Sequence, residues 1–107
     1  MDLVKPGDHV VLSFAPYCGH CYYCAIGRPV LCVNMRLTMG KGTLLDGTCR
    51  LKKDGKEIHH MAGLSSFAQY AVVPEVSCVK IPDDVPLDKA CLVGCGVMTG
   101  VGAAINT

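Results

Sequence analysis

Four cysteines, Cys18, Cys21, Cys24 and Cys32, fall within fifteen residues at the spacing C-x2-C-x2-C-x7-C. Three sulfurs three residues apart converge only if the backbone curls tightly, and a fourth returning after a longer excursion closes a cage. Zinc favours a tetrahedral set of thiolates, with Zn–S bonds of about 2.3 Å, and four protein ligands leave it no open position for chemistry. The spacing therefore predicts a closed structural metal loop over residues 17–33. His20 lies inside it and is expected to be a solvated loop residue, since four thiols already complete the set.

Two other chemistries use such cysteines. Eight cysteines in 107 residues is the density of a small disulfide-stapled secreted domain. The chain opens Met1-Asp2-Leu3-Val4-Lys5-Pro6, however, with an acid and no apolar h-region, so no export signal is expected. C-x2-C pairs without an export signal more often hold metal or do redox work. An iron–sulfur cluster is the second rival, because the bacterial ferredoxin run is C-x2-C-x2-C-x3-C-P. The first half matches, but the last spacing is seven residues and Val33, not proline, follows Cys32.

Half of the residues are hydrophobic and 18% are charged, the composition of one globular domain and not of a disordered chain. Ten basic against nine acidic side chains give a formal charge of +1, and four thiolates around a divalent ion bring the loaded chain to about −1. Neither value attracts nucleic acid. Arg50, Lys52, Lys53 and Lys56 cluster, but Asp54 and Glu57 interrupt them, as on a solvated hairpin tip. No apolar run is expected to reach the length needed to span a bilayer. The default location is cytoplasmic.

Along the chain, Lys5-Pro6-Gly7-Asp8 is turn chemistry, and His9–Phe14 reads as a short, mostly buried strand. Gly27-Arg28-Pro29 stops any helix begun at Tyr22. Residues 34–47 show no countable period and read as loop. Arg50–Ile58 with Asp54-Gly55 at its centre reads as a hairpin. Leu64–Val73 is the strongest strand pattern, apolar on both faces and therefore expected to be buried. Val76–Ile81 is a further strand, Leu87–Leu92 one or two helical turns, and Thr99 the expected N-cap of a terminal helix. The sum is a mainly β chain, a partial barrel or sandwich, with helix only near its end.

The tail Val93-Gly94-Cys95-Gly96-Val97-Met98-Thr99-Gly100 is not a dinucleotide fingerprint, because Gly100 comes one residue late for G-x-G-x-x-G. Glycines on both sides of Cys95 would let backbone approach its thiolate closely. A lone cysteine in apolar sequence is also commonly a packed core residue, and the residues alone leave both roles open.

Three motifs together carry a resemblance that covers nearly the whole chain: the Cys18, Cys21, Cys24, Cys32 spacing; Ile58-His59-His60 followed by Ser65-Ser66-Phe67-Ala68-Gln69-Tyr70; and the tail GCGVMTGVGAAINT. In these the chain resembles the zinc-dependent alcohol dehydrogenases of the medium-chain dehydrogenase/reductase superfamily, most closely the branch that includes the glutathione-dependent formaldehyde dehydrogenases. The resemblance implies a GroES-like partial β-barrel, with residues 1–107 as the second half of that catalytic domain. Cys18, Cys21, Cys24 and Cys32 would be the structural-zinc ligands and Cys95 a ligand of the catalytic zinc. Thr99 would pack near the nicotinamide ring, and Met61 would line the substrate pocket. Cys49, Cys78 and Cys91 match no ligand position and are expected to be buried small hydrophobes; His59 and His60 are expected to serve packing.

The resemblance also implies what lies elsewhere. A cysteine and a histidine from an earlier segment complete the family's catalytic zinc, and its nucleotide-binding domain would begin just beyond Thr107. The implied parent is a homo-oligomer that oxidises an alcohol to an aldehyde or ketone with NAD(P)+, and this chain alone is expected to be inactive. The alternative is a freestanding zinc-stabilised structural or interaction module without redox activity.

Overall fold

The computed structural model describes residues 3–107; Met1 and Asp2, part of the signal-peptide reading, lie outside them. Strand β1, Val10–Leu12, pairs antiparallel with β4, Cys78–Lys80, in the register Val10↔Lys80, Val11↔Val79 and Leu12↔Cys78. Backbone bonds extend the ladder at both ends, from Ser13 N to Ser77 O at 2.8 Å and from Ile81 N to His9 O at 2.9 Å. Both expected strands, His9–Phe14 and Val76–Ile81, are thus present as one ladder; β1 is half-buried and not mostly buried, and Val79 and Lys80 of β4 are exposed. Its entry is clasped by the Lys5–Asp8 turn. Lys80 Nζ donates to Asp8 Oδ1 at 2.6 Å and Lys5 N to Asp8 Oδ2 at 2.9 Å. Those two bonds hold the Asp8 carboxyl below its usual range.

Strands β2, Leu51–Lys53, and β3, Lys56–Ile58, form the expected hairpin. Asp54 and Gly55 carry φ of 51° and 75°, the two positive values that a type I′ turn demands. All six strand residues are exposed, so the lysines at its tip are solvated as their charge pattern predicts.

Helix α1, Tyr22–Ala25, starts at the expected residue and stops before Gly27. The segment 34–47, expected as loop, instead contains helix α2, Val33–Lys41. Its apolar residues Val33, Met35, Leu37 and Met39 recur every second position, so no helical stripe forms for a periodicity reading to find. The stop is conventional: Gly42 takes the left-handed conformation at φ 66°, ψ 37°, and its N–H and that of Thr43 return to Met39 O and Thr38 O. Helix content is therefore not confined to the end of the chain.

Leu64–Val73, expected as the best strand, forms no strand. A strand exists through a partner's hydrogen bonds, and among the described residues none pairs with this segment. Phe67 and Tyr70 stand fully in solvent at 108% and 92% relative exposure. The described β-structure is two separate two-stranded ladders of three-residue strands, so the mainly β expectation is not met and no barrel closes among the described residues.

At the end of the chain α3, Leu87–Ala90, leads through a π-turn, Val93–Val97, directly into α4, Met98–Asn106. Val97, at the cap position, is already helical at φ −65°, ψ −48°. Thr99 therefore lies inside the helix and is not its N-cap. The stretch Leu87–Asn106 also reaches the length and apolarity of a membrane span, correcting the expectation that no such run exists. Its π-turn packs against β1.

The core is small: Pro16, Cys32, Met35, Leu44, His60, Leu64, Ser77 and Ala90 are buried. Accessible surface is 8032 Å², against about 5,700 Å² for a compact chain of this length. The radius of gyration is 14.9 Å, against about 13 Å. Much of the excess is apolar, including Phe67, Tyr70, Val72, Leu92, Val93, Val97, Val101 and Ile105.

Candidate metal centre

The chain leaves β1 through the fully buried Pro16 and curls at Gly19, φ 78°. Cys21 then occupies the N-cap of α1 and Cys24 lies within it. Gly27, φ 76°, reverses the chain into a 3-10 turn at Pro29–Leu31, which delivers Cys32 to the N-cap of α2. Cys32 is completely buried, and Cys18, Cys21 and Cys24 are half-buried.

The four Sγ atoms all lie within 4.8 Å of one another, with Cys21 and Cys24 Sγ 3.6 Å apart. Tetrahedral placement at Zn–S bonds of about 2.3 Å separates sulfurs by about 3.8 Å. The cage therefore fits one ion. It is too tight for a polynuclear iron–sulfur cluster, which places several metal atoms between its thiolates. All four cysteines are free, and a disulfide would need sulfurs at about 2.05 Å. His20 stays outside the cage, exposed, its Nδ1 donating to Cys18 O at 2.8 Å.

Backbone dipoles prepare the sulfurs unequally. N–H groups of Cys24 and Val33, in the first turns of α1 and α2, pull the Cys21 thiol down to about 6. The His20 N–H leads in lowering Cys18. Burial, reinforced by the neighbouring thiols, pushes Cys24 up to about 11. Cys18 N also donates to Cys32 Sγ at 3.4 Å. Unloaded, four thiols this close cannot all ionise, because each thiolate repels the next. An entering divalent cation must displace the proton from Cys24, and it offsets half of the charge of the four thiolates.

Cys95 lies in the π-turn, exposed to solvent. The turn is closed by Val97 N donating to Leu92 O at 3.1 Å. Thr99 follows in α4, also exposed. Met61 is on a different element, a loop with positive φ at Ala62 and Gly63, and is 81% exposed beside Phe14 and Phe67 at a pocket of about 230 Å³.

The other cysteines divide. Cys49 and Cys78 are half-buried, but Cys91, expected to be buried, is exposed and donates to Asp88 O at 3.2 Å. α3 turns it away from the small core. His60 does pack: it is buried, its N–H donates to Gly42 O at 2.6 Å, and its Nε2 accepts from Arg50 N at 3.0 Å. His59 is exposed, with Nδ1 3.9 Å from Cys49 Sγ. Sequence reasoning missed how His60 ties the hairpin to the end of α2; the adjoining glycine was its only signal.

Residues 1–83 match the model of the alcohol dehydrogenase GroES-like domain. The alcohol dehydrogenase class-3 of Dictyostelium discoideum is 52% identical over 94% of this chain and 27% of its own. The S-(hydroxymethyl)glutathione dehydrogenase of Komagataella pastoris is 52% identical over the whole chain and 28% of its own length. Among solved structures, an alcohol dehydrogenase zinc-binding domain protein from Burkholderia ambifaria superimposes with a TM-score of 0.81 at 39% identity, covering 96% of this chain and 28% of that one. The chain spans about a quarter of the length of the curated relatives it matches.

Proposed function

The chain belongs to the alcohol dehydrogenase GroES-like family, and from that premise we propose that it is part of a zinc-dependent alcohol dehydrogenase. The observation that carries the reading is the complete four-sulfur cage of Cys18, Cys21, Cys24 and Cys32, whose donors could hold one metal ion; the proposed occupant is a structural zinc. In the whole protein Cys95 contributes one thiolate to a second zinc, whose other protein ligands come from residues outside this chain. When bound, such a zinc would supply Lewis acidity toward an alcohol hydroxyl, the chemistry that alcohol oxidation by NAD(P)+ requires. Thr99 packs at the nicotinamide and Met61 forms a flexible wall of the substrate pocket.

The unpaired Leu64–Val73 segment supports the same reading. Its two apolar faces and the lack of a strand partner among the described residues fit a piece of a partial β-barrel that further chain would complete, with a nucleotide-binding domain proposed beyond Thr107. The proposed substrate is a small alcohol or aldehyde, a class that includes the hydroxymethyl thiol adduct named for several relatives. The proposed enzyme is cytoplasmic, homo-oligomeric, and independent of nucleic acid and membrane; this chain by itself has no dehydrogenase activity. The competing reading, a freestanding zinc module, rests on the cage being the one metal site complete within the described residues.

Metal analysis and grafting separate the two. The purified chain should hold one zinc that resists mild chelation. Replacing the corresponding quarter of the Komagataella pastoris enzyme with this chain should give an active dehydrogenase with a second zinc. Cys95→Ser should then lower turnover at least about 100-fold, since even the partners of metal ligands are worth 10- to 100-fold. A folded graft that binds only the cage zinc would sink the dehydrogenase reading in favour of the module.

A further inference from the structure

The two glycines beside Cys95 are equivalent in sequence and different in space. A Cβ at Gly94 would lie 2.6 Å from the backbone oxygen of Leu12 and 3.2 Å from Val11 Cγ1. A Cβ at Gly96 would meet nothing within 4 Å. Neither glycine has positive φ, so conformational freedom explains neither. The Leu12 oxygen cannot retreat cheaply. It belongs to β1, where Leu12 is in register with Cys78 and the next residue, Ser13, donates to Ser77 O at 2.8 Å. The π-turn itself is a local widening of the helix, a feature often found at functional sites.

We infer that Gly94 is the positioning residue for Cys95. Its missing side chain seats the π-turn on the Leu12 carbonyl and so fixes where the Cys95 thiolate stands relative to β1. Gly96 has no such duty. The inference rests on the proposed role of Cys95 toward a divalent ion, but the seating can be tested without that ion.

The test compares Gly94→Ala with Gly96→Ala in the zinc-loaded chain. Iodoacetamide labelling of Cys95 is scored against Cys91, four residues earlier and also exposed, and amide exchange is followed at Val97, Ser13 and Ile81. In Gly94→Ala the Cys95-to-Cys91 labelling ratio should shift about fivefold or more and Val97 exchange should rise about tenfold, as for a local opening. Ser13, Ile81 and the cage zinc should be unchanged. Gly96→Ala should stay within about twofold on every readout. Equal responses in the two variants, or none, overturn the inference. So does loss of Ser13 and Ile81 protection in Gly94→Ala, which would make Gly94 a general folding residue. Cys95→Ser in the grafted enzyme separates this from the functional reading. If metal is lost there but the glycines behave alike, only the positioning role falls. If metal is retained while the asymmetry holds, the positioning role survives and the assignment of Cys95 as a ligand falls.

Discussion

The cysteine loop and the segment Leu64–Val73 are both dense in apolar and chemically committed residues, yet one is closed and the other bare. The loop gathers its four donors from a single short stretch, so local turns at Gly19 and Gly27 and the caps of α1 and α2 assemble it. Leu64–Val73 carries the stronger strand pattern and remains unpaired, with Phe67 and Tyr70 in solvent. Structure that rests on near neighbours needs only its own stretch of chain. Structure that rests on a distant partner forms where that partner is present, as β4 is for β1, and not where none pairs among the described residues, as for Leu64–Val73.

Removing the loop's metal should break that contrast most completely. Chelation, or Cys32→Ser at the buried ligand, should disorder residues 17–33 and the start of α2 and lower the thermal midpoint by on the order of 10 °C. Amide exchange in the β2–β3 hairpin should change far less; equal loss in both would show that the loop is not an autonomous unit.

Gly42 joins the two kinds of region, since it ends α2 and backs the hairpin. Gly42→Ala must hold φ near 66° and place a Cβ 2.7 Å from His59 Cβ, so about 1–3 kcal/mol of stability should be lost. Denaturant unfolding of the zinc-loaded protein measures it, and a neutral result would mean that the α2 terminus is not fixed by its glycine.

The bare segment is tested by association. Phe67→Ser with Val72→Thr should leave secondary structure unchanged by circular dichroism while shifting self-association, followed by light scattering, to about tenfold higher concentration. Unchanged association would place the sticky surface elsewhere.

The smallest effect concerns the long-range clasp. Asp8 has its carboxyl pKa depressed, chiefly by Lys80 and then by the Lys5 N–H. Its contribution is therefore present above the unfolded value near 4 and fades as pH falls through the lower folded value. Asp8→Asn should lower the thermal midpoint by only a few degrees at pH 7, roughly the effect of a part-exposed pair. The difference from the parent chain should vanish toward pH 2.

Legibility followed the same division. The hairpin is readable because Asp54-Gly55 supplies two positive φ angles within two residues, and β1 because its β-branched run finds its partner in β4 of the same chain. α2 is not, since alternate apolar residues hide a helix that Cys32 and Gly42 bracket. Thr99 lies inside α4 and not at its cap because the preceding π-turn already carries the helix, and such a turn leaves no mark distinct from ordinary glycine-rich sequence. Cys91 was expected inside because cysteine usually is, and only the turn direction of α3 put it outside. For the candidate site, the cage was fully legible from spacing. The unequal surroundings of Gly94 and Gly96 were invisible, because the atom that distinguishes them belongs to Leu12, eighty-two residues away.

The amino-acid sequence alone determined which atoms can hold an ion, because four thiols at that spacing have one compact way to meet and their chemistry travels with them. Tertiary structure alone decided which glycine abuts β1, which cysteines face solvent and which apolar stretch goes unpaired among the described residues. The glycine and the unpaired stretch turn on whether residues far apart in the chain meet, a property of packing that no local pattern encodes.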